Sequence, residues 1–235
     1  MRLLLNSRIL GDVLVIQCKG RIVAGAEVEA LQAEVDKQTH VLGTELLQTR
    51  LVVLDLGEVE YLDSSGLGAL VRMLGVLRAV GGGLTLCRPS PIVQKSLEVT
   101  KLTNLLSTYG SEEEAIEALY RDSPPEQDTI RRTAILCVDT SKDLLAYLRV
   151  LLTEAGYRVH TASNVSDGKR LLTVMHPKLV VCGKGIQELP AAVALLEQIQ
   201  NSSGIQLLSL PAEFSTTDAG EAGKDLVERI QSLVK

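Results

Sequence analysis

Aromatic side chains are nearly missing from this 235-residue chain: they make up 3% of it, with one Phe and no Trp. Stacking platforms for single-stranded nucleic acid therefore have almost nothing to be built from. A net charge of −5 opposes a phosphate-backbone partner as well, so no nucleic-acid role is expected. The four cysteines, Cys18, Cys87, Cys137 and Cys182, lie far apart with no CxxC pair. Each sits among strand-like apolar residues and reads as a small buried side chain in a reducing compartment. The three histidines, His40, His160 and His176, are scattered without ligand spacing, so neither a metal nor another cofactor is expected. The amino-terminal stretch MRLLLNSRILGD is too short in apolar residues for a signal-peptide core or a membrane span. The expectation is a cytoplasmic protein with no membrane contact.

Val, Ile, Leu and Ala dominate the 46% of apolar residues, enough to bury one core in each of two domains. Two domains are expected because the chain exceeds the usual single-domain size of roughly 100 to 150 residues. The break falls in Arg121 to Arg132, a polar, charged run containing Pro124-Pro125, which neither a helix nor a central strand accommodates. This gives a first domain over residues 1–120, a linker over 121–132 and a second domain over 133–235, with no internal repeat between the halves.

In the first half, Asp12–Cys18 reads as a strand, and Ala26–Val35 as a helix from the spacing of Val28, Leu31 and Val35. Leu51–Leu56 reads as a strand buried on both faces. From Leu67 an apolar stripe at Leu70, Val71, Leu74, Leu77 and Val80 predicts a helix that ends at Gly81-Gly82-Gly83. Leu84–Cys87 is a further strand, Ser90-Pro91 starts the next helix, and Ser111 to Glu114 is a capping box. The order predicts an α/β domain.

Between the second strand and its helix lies YLDSSGLG, Tyr61 to Gly68. Ser64 stands where a helix begins, so it is placed to accept from the first free amides as a cap. It is also placed at the strand end where open α/β sheets carry their sites, beside two glycines that leave its hydroxyl uncovered. A kinase could reach such a hydroxyl, and a phosphate there would add about −1.5 to −2 charges to any surface a partner covers. The surroundings lack the GxSxG of a nucleophile elbow, so no catalytic residue is assigned.

The pattern VLDLGEVEYLDSSGLGALV, with Gly20-Arg21-Ile22 before it and GGGLTLCRPSP and TKLTNLL after it, resembles the STAS family and in particular the bacterial anti-sigma factor antagonists. The resemblance spans about residues 1–120 and implies a STAS-type mixed sheet with flanking helices. It implies further that Ser64 is phosphorylated by an anti-sigma factor serine kinase and restored by a phosphatase. Asp63, Ser64, Ser65, Gly66, Arg21 and Ile22 would then form the partner-binding surface. Many relatives carry an acidic residue in the loop where this chain has Arg21, Ile22 and Val23, which suggests that Arg21 pairs with phosphoserine instead.

In the second half, Ala134–Val138, Tyr157–Thr161, Lys178–Cys182 and Ile205–Leu210 read as strands, with helices at Leu144–Thr153, around Leu171 and Leu172, and at Lys224–Val234. This succession predicts a doubly wound, flavodoxin-like sheet. It resembles the response-regulator receiver family, but of the acidic residues that would hold Mg²⁺ only Asp139 is present. The acceptor aspartate falls on Gly183, or on Cys182 one residue earlier, and the later hydroxyl position falls on Pro211. A degenerate, shortened receiver without metal or acyl phosphate follows, with Asp139 expected to cap a helix. The resemblance to the antagonists leads to a non-enzymatic signalling protein in a partner-switching cycle. The competing reading is a non-switching scaffold or adaptor in a signalling or lipid-transport complex. The oligomeric state stays open.

Overall fold

A computed structural model describes residues 2–40, 50–122, 133–202, 204–211, 214 and 219–234. The chain divides into two compact units, Met1–Gln127 and Asp128–Lys235. The proline-containing segment 123–132 lies outside the described residues.

The first unit is built on a five-stranded sheet. Strand β1 (Leu4–Leu10) turns back as an antiparallel neighbour of β2 (Val13–Ile22), after which helix α1 (Ala26–His40) leads to β3 (Leu51–Leu62). Helix α2 (Ser64–Ala79) then connects to β4 (Gly83–Cys87), and α3 (Pro91–Val99) with a following 3₁₀ turn connects to the two-residue β5 (Thr108–Tyr109). Helix α4 (Glu112–Asp122) completes the unit. The strands lie in the order β1-β2-β3-β4-β5, with all pairs after the first parallel. A mixed sheet results because only the β1–β2 link is a tight turn, whereas the others cross over through helices.

Strand β1 has no counterpart among the sequence-predicted elements. Its side chains alternate between exposed and part-buried until Leu10, which leaves too weak an apolar signal for a strand at the sheet's edge. Strand β3 outruns its predicted end by six residues. Its polar second half is carried as a ladder by β2, which pairs as far as Ile22↔Leu62 despite two register shifts. The core gathers Leu14, Ile16, Leu54, Leu56, Leu70 and Leu97 among others between sheet and helices. At the last helix the predicted capping box forms in altered shape. The Glu114 N–H donates to Ser111 Oγ at 3.1 Å, but the Glu114 carboxylate accepts from the Gly110 N–H rather than that of Ser111.

The second unit has a four-stranded, all-parallel sheet in the order β7-β6-β8-β9. Strand β6 (Ala134–Val138), helix α5 (Lys142–Glu154) and strand β7 (Arg158–Ala162) come first. Helix α6 (Val165–Met175), strand β8 (Leu179–Cys182), a short α7 (Lys184–Gln187) and α8 (Val193–Asn201) follow. Strand β9 (Gln206–Ser209) and α9 (Ala219–Val234) end the unit. The central strands β6 and β8 are buried along nearly their whole length, as expected for parallel strands covered on both faces. Ile135, Cys137, Leu148, Leu152, Val181 and Ile230 belong to one of its clusters.

Candidate functional site

The apolar stripe of α2 faces the core through Leu67, Leu70, Leu74 and Leu77, which fixes the helix against the sheet and sets where its first turn emerges. That first turn starts directly from the end of β3, with one residue between. Asp63 is the helix cap: its backbone is extended (φ −90°, ψ 178°) and its Oδ1 accepts from the Gly66 N–H at 2.7 Å. Its Oδ2 accepts from the Ala24 N–H at 3.1 Å, and its own N–H donates to the Ile22 carbonyl at 3.3 Å. One carboxylate thus closes the helix end and ties it to the loop after β2. These bonds, the Gly66 N–H foremost, hold the Asp63 carboxyl below its ordinary value, with smaller support from the Ala24 and Ser65 amides and from the charge of Arg21.

The expectation that Ser64 caps the helix is corrected by this geometry. Ser64 is the first helical residue, and the acceptor that satisfies the free amides is supplied one position earlier by Asp63. Aspartate at this position has two oxygens and a charge to offer the helix end, so it serves two amides where a hydroxyl would serve one. Ser64 and Ser65 are both exposed, and among the described residues Ser64 Oγ makes no hydrogen bond. The hydroxyl is therefore free for chemistry without disturbing the helix start.

Gly66 is required by close approach. A Cβ there would lie 2.5 Å from the Ile22 carbonyl oxygen and 2.6 Å from Leu62 Cδ1, so any side chain would push α2 off the strand ends. Gly66 and Ile22 are buried, Ile22 completely, and their side-chain positions face the core. The expectation that both lie on the partner surface is corrected accordingly: they place the loop and the helix, while Asp63, Ser64, Ser65 and Arg21 reach solvent. Arg21 is exposed and stands over the Tyr61 ring, its guanidinium carbon 5.2 Å from the centroid. Tyr61 keeps 46% exposure, and in a chain this poor in aromatics it is the site residue that sequence reasoning passed over. Its signal was legible as an aromatic two residues before the aspartate.

In the second unit, Asp139 follows β6 and is 97% removed from solvent, being only 3% exposed. Its Oδ1 accepts from the Ser141 N–H at 2.7 Å and its Oδ2 from the Gly185 N–H at 3.0 Å. The cap of α5 is Ser141, whose Oγ accepts from the Leu144 N–H at 3.3 Å, so Asp139 braces two loops rather than capping the helix as expected. The position that the receiver resemblance would give to an acceptor is filled by this brace. A Cβ on Gly183 would stand 2.1 Å from Asp139 Oδ2, and one on Gly185 would stand 2.2 Å from Thr140 Oγ1. Burial, then the Asp139 charge, pushes the Cys182 thiol up to about 11. No cluster of three or more His, Cys, Asp or Glu suited to a metal occurs among the described residues. No helix of the described residues is long and apolar enough to cross a membrane.

The first unit is thus a mixed α/β sheet that presents a serine in the first turn of a helix, held against the sheet by a glycine and an aspartate. The STAS domain family matches residues 5–115, and the chain belongs to that family. BtrV of Bordetella bronchiseptica, named as an anti-sigma factor antagonist, is 33% identical over 107 residues, which are 46% of this chain and 87% of that protein. The anti-sigma F factor antagonist of Paenibacillus polymyxa is 28% identical over 102 residues, 40% of this chain and 87% of its own. Among solved structures, the antagonist SpoIIAA in its unphosphorylated form is 24% identical, spans 50% of this chain and 97% of that one, and has a TM-score of 0.42.

Proposed function

We propose that this protein is an anti-sigma factor antagonist working by partner switching. With Ser64 unphosphorylated, its first domain binds an anti-sigma factor serine kinase. Transfer of the ATP γ-phosphoryl group to Ser64 Oγ, with loss of the hydroxyl proton and release of ADP, ends that binding, and a phosphoserine phosphatase restores it by hydrolysis. The observation that carries the reading is the division of labour at the helix start: Asp63 does the capping, which leaves Ser64 exposed and its hydroxyl uncommitted. The curated relatives named above support the same role. Phosphorylation then changes the surface and not the fold, because the phosphate replaces no internal hydrogen bond and sits beside the positive end of the helix.

The domain limits we assign are 1–120 for the STAS part, 121–132 for the linker and 133–235 for a degenerate, flavodoxin-like pseudo-receiver. Support for the last comes from the parallel order β7-β6-β8-β9, in which the unit's first strand lies inside and its second at the edge. With its acceptor position occupied by the Asp139 brace, this unit acts by contact and not by phosphoryl transfer, and the protein as a whole is not an enzyme.

Incubating the protein with a candidate anti-sigma kinase, ATP and Mg²⁺, followed by mass spectrometry, tests the switch. Modification at Ser64, its loss in Ser64→Ala and weakened kinase binding by Ser64→Asp are expected. Unmodified Ser64 together with wild-type binding by both variants would favour a scaffold and refute the switch.

A further inference from the structure

The guanidinium of Arg21 occupies a position that charge neutralisation alone does not require. Among the described residues it makes no salt bridge; its contacts are the face of the Tyr61 ring and the longer-range field of Asp63. Its direction is set by the backbone. Gly20 has φ of 102°, and the β2–β3 register shifts between Gly20 and Arg21, so that Arg21 comes to pair with Tyr61 at the strand ends. The same strand end delivers Ile22, whose carbonyl accepts from the Asp63 N–H, and Ala24, whose N–H donates to the Asp63 carboxylate. Arg21 is thereby anchored beside the first turn of α2 on a side chain that is itself exposed and free to turn.

We propose that Arg21 is a two-position latch. It lies on Tyr61 while Ser64 carries a hydroxyl, and it moves onto the phosphate when Ser64 is phosphorylated, leaving the Tyr61 ring uncovered. The inference rests on the reading of Ser64 as the phosphoacceptor and adds how the modification is read out: the partner surface changes in shape as well as in charge. The direction of movement follows from relative strengths. An exposed cation–π contact is a weak interaction, whereas a guanidinium meets phosphate oxygens with paired, charge-assisted hydrogen bonds. The acidic group that competes for Arg21 is Asp63, and both of its oxygens are already engaged by backbone amides. Glu58, on the same strand as Tyr61, is paired with Lys19 at 2.7 Å. Tyr and Arg are the residue types that dominate protein interfaces, so covering or uncovering one exposed tyrosine alters a surface a partner would rely on.

The test needs no kinase, which keeps its failure separate from failure of the kinase reading. Phosphoserine is installed at position 64 of the full chain during translation, and its second ionisation is followed by ³¹P NMR alongside the ring resonances of Tyr61. In the otherwise wild-type protein the phosphoserine pKa is expected about 0.5 to 1 unit below that in Arg21→Gln, less than the shift of a buried pair because the site is wet. The Tyr61 ring resonances should move on phosphorylation towards those of unphosphorylated Arg21→Gln. Arg78→Gln, which removes one charge from the exposed last turn of α2, should leave the titration at its wild-type position. Identical titrations for wild type and Arg21→Gln, an equal effect of Arg78→Gln, or a Tyr61 ring unmoved by phosphorylation would each overturn the latch.

Discussion

Replacing Asp63 by Ala separates the structural duty of the DSSG turn from its chemistry. The substitution removes two hydrogen-bond acceptors at once, the one that caps α2 through Gly66 and the one that holds the loop after β2 through Ala24. Loss of a side-chain cap costs about 1 kcal/mol, and the second, partly exposed charge-assisted bond adds up to about 1 more. For a unit of this size about 1 to 2 kcal/mol corresponds to roughly 4 to 8 °C in Tm. The perturbation also has a pH signature. The folded-state pKa of Asp63 is lowered, so its contribution is fully present above the unfolded value near 4 and is lost as pH falls through the folded value. The wild type should therefore exceed Asp63→Ala by a constant margin at neutral pH, and the margin should shrink in acid. Asp63→Asn, which can still cap, should lose less than Asp63→Ala at neutral pH. Thermal unfolding followed by circular dichroism, with amide exchange of Gly66 and Ala24 to assign the affected unit, measures all three. Equal melting of wild type and Asp63→Ala at pH 7, with Gly66 still protected, would show that the cap is supplied elsewhere and refute the reasoning.

Two further outcomes follow from burial. Gly183→Asp, which would place a carboxylate where the proposed receiver likeness expects one, should destabilise the second unit and remain unlabelled by acetyl phosphate, because its Cβ would stand 2.1 Å from Asp139 Oδ2; stable labelling of a folded variant would contradict the filled-site account. The thiols of Cys18, Cys87 and Cys137 are pushed up to about 12 and that of Cys182 to about 11, in each case chiefly by burial. All four should resist a thiol-exchange reagent at pH 8 in the native protein and react promptly in denaturant, as a spectrophotometric assay would register.

The elements whose apolar residues repeat on a period were legible in the sequence, as the stripe of α2 and the buried run of β3 show. Strand β1 was not, because an edge strand buries one side only and here incompletely. The second half of β3 was not, because its polar residues are held in the ladder by β2 and not by burial. Of the site, Ser64 and Asp63 were legible as a motif at a strand-to-helix turn, and the helix end had a visible acceptor at either position.

Which acceptor does the capping depended on the direction in which β3 delivers the chain, a property of the assembled sheet. The same holds for Arg21, aimed at Tyr61 by a bulge that no local pattern announces. The filling of the Gly183 position likewise depended on Asp139, 44 residues earlier by their numbers, meeting it across two adjacent strands. The sequence by itself determined the alternation of strands and helices, because burial periodicity is local, and it determined the serine at the helix start, because the motif is contiguous. Tertiary structure decided which side chains face solvent, which carboxylate satisfies which amide and where there is no room for a Cβ, because those outcomes depend on distances between segments that only packing brings together.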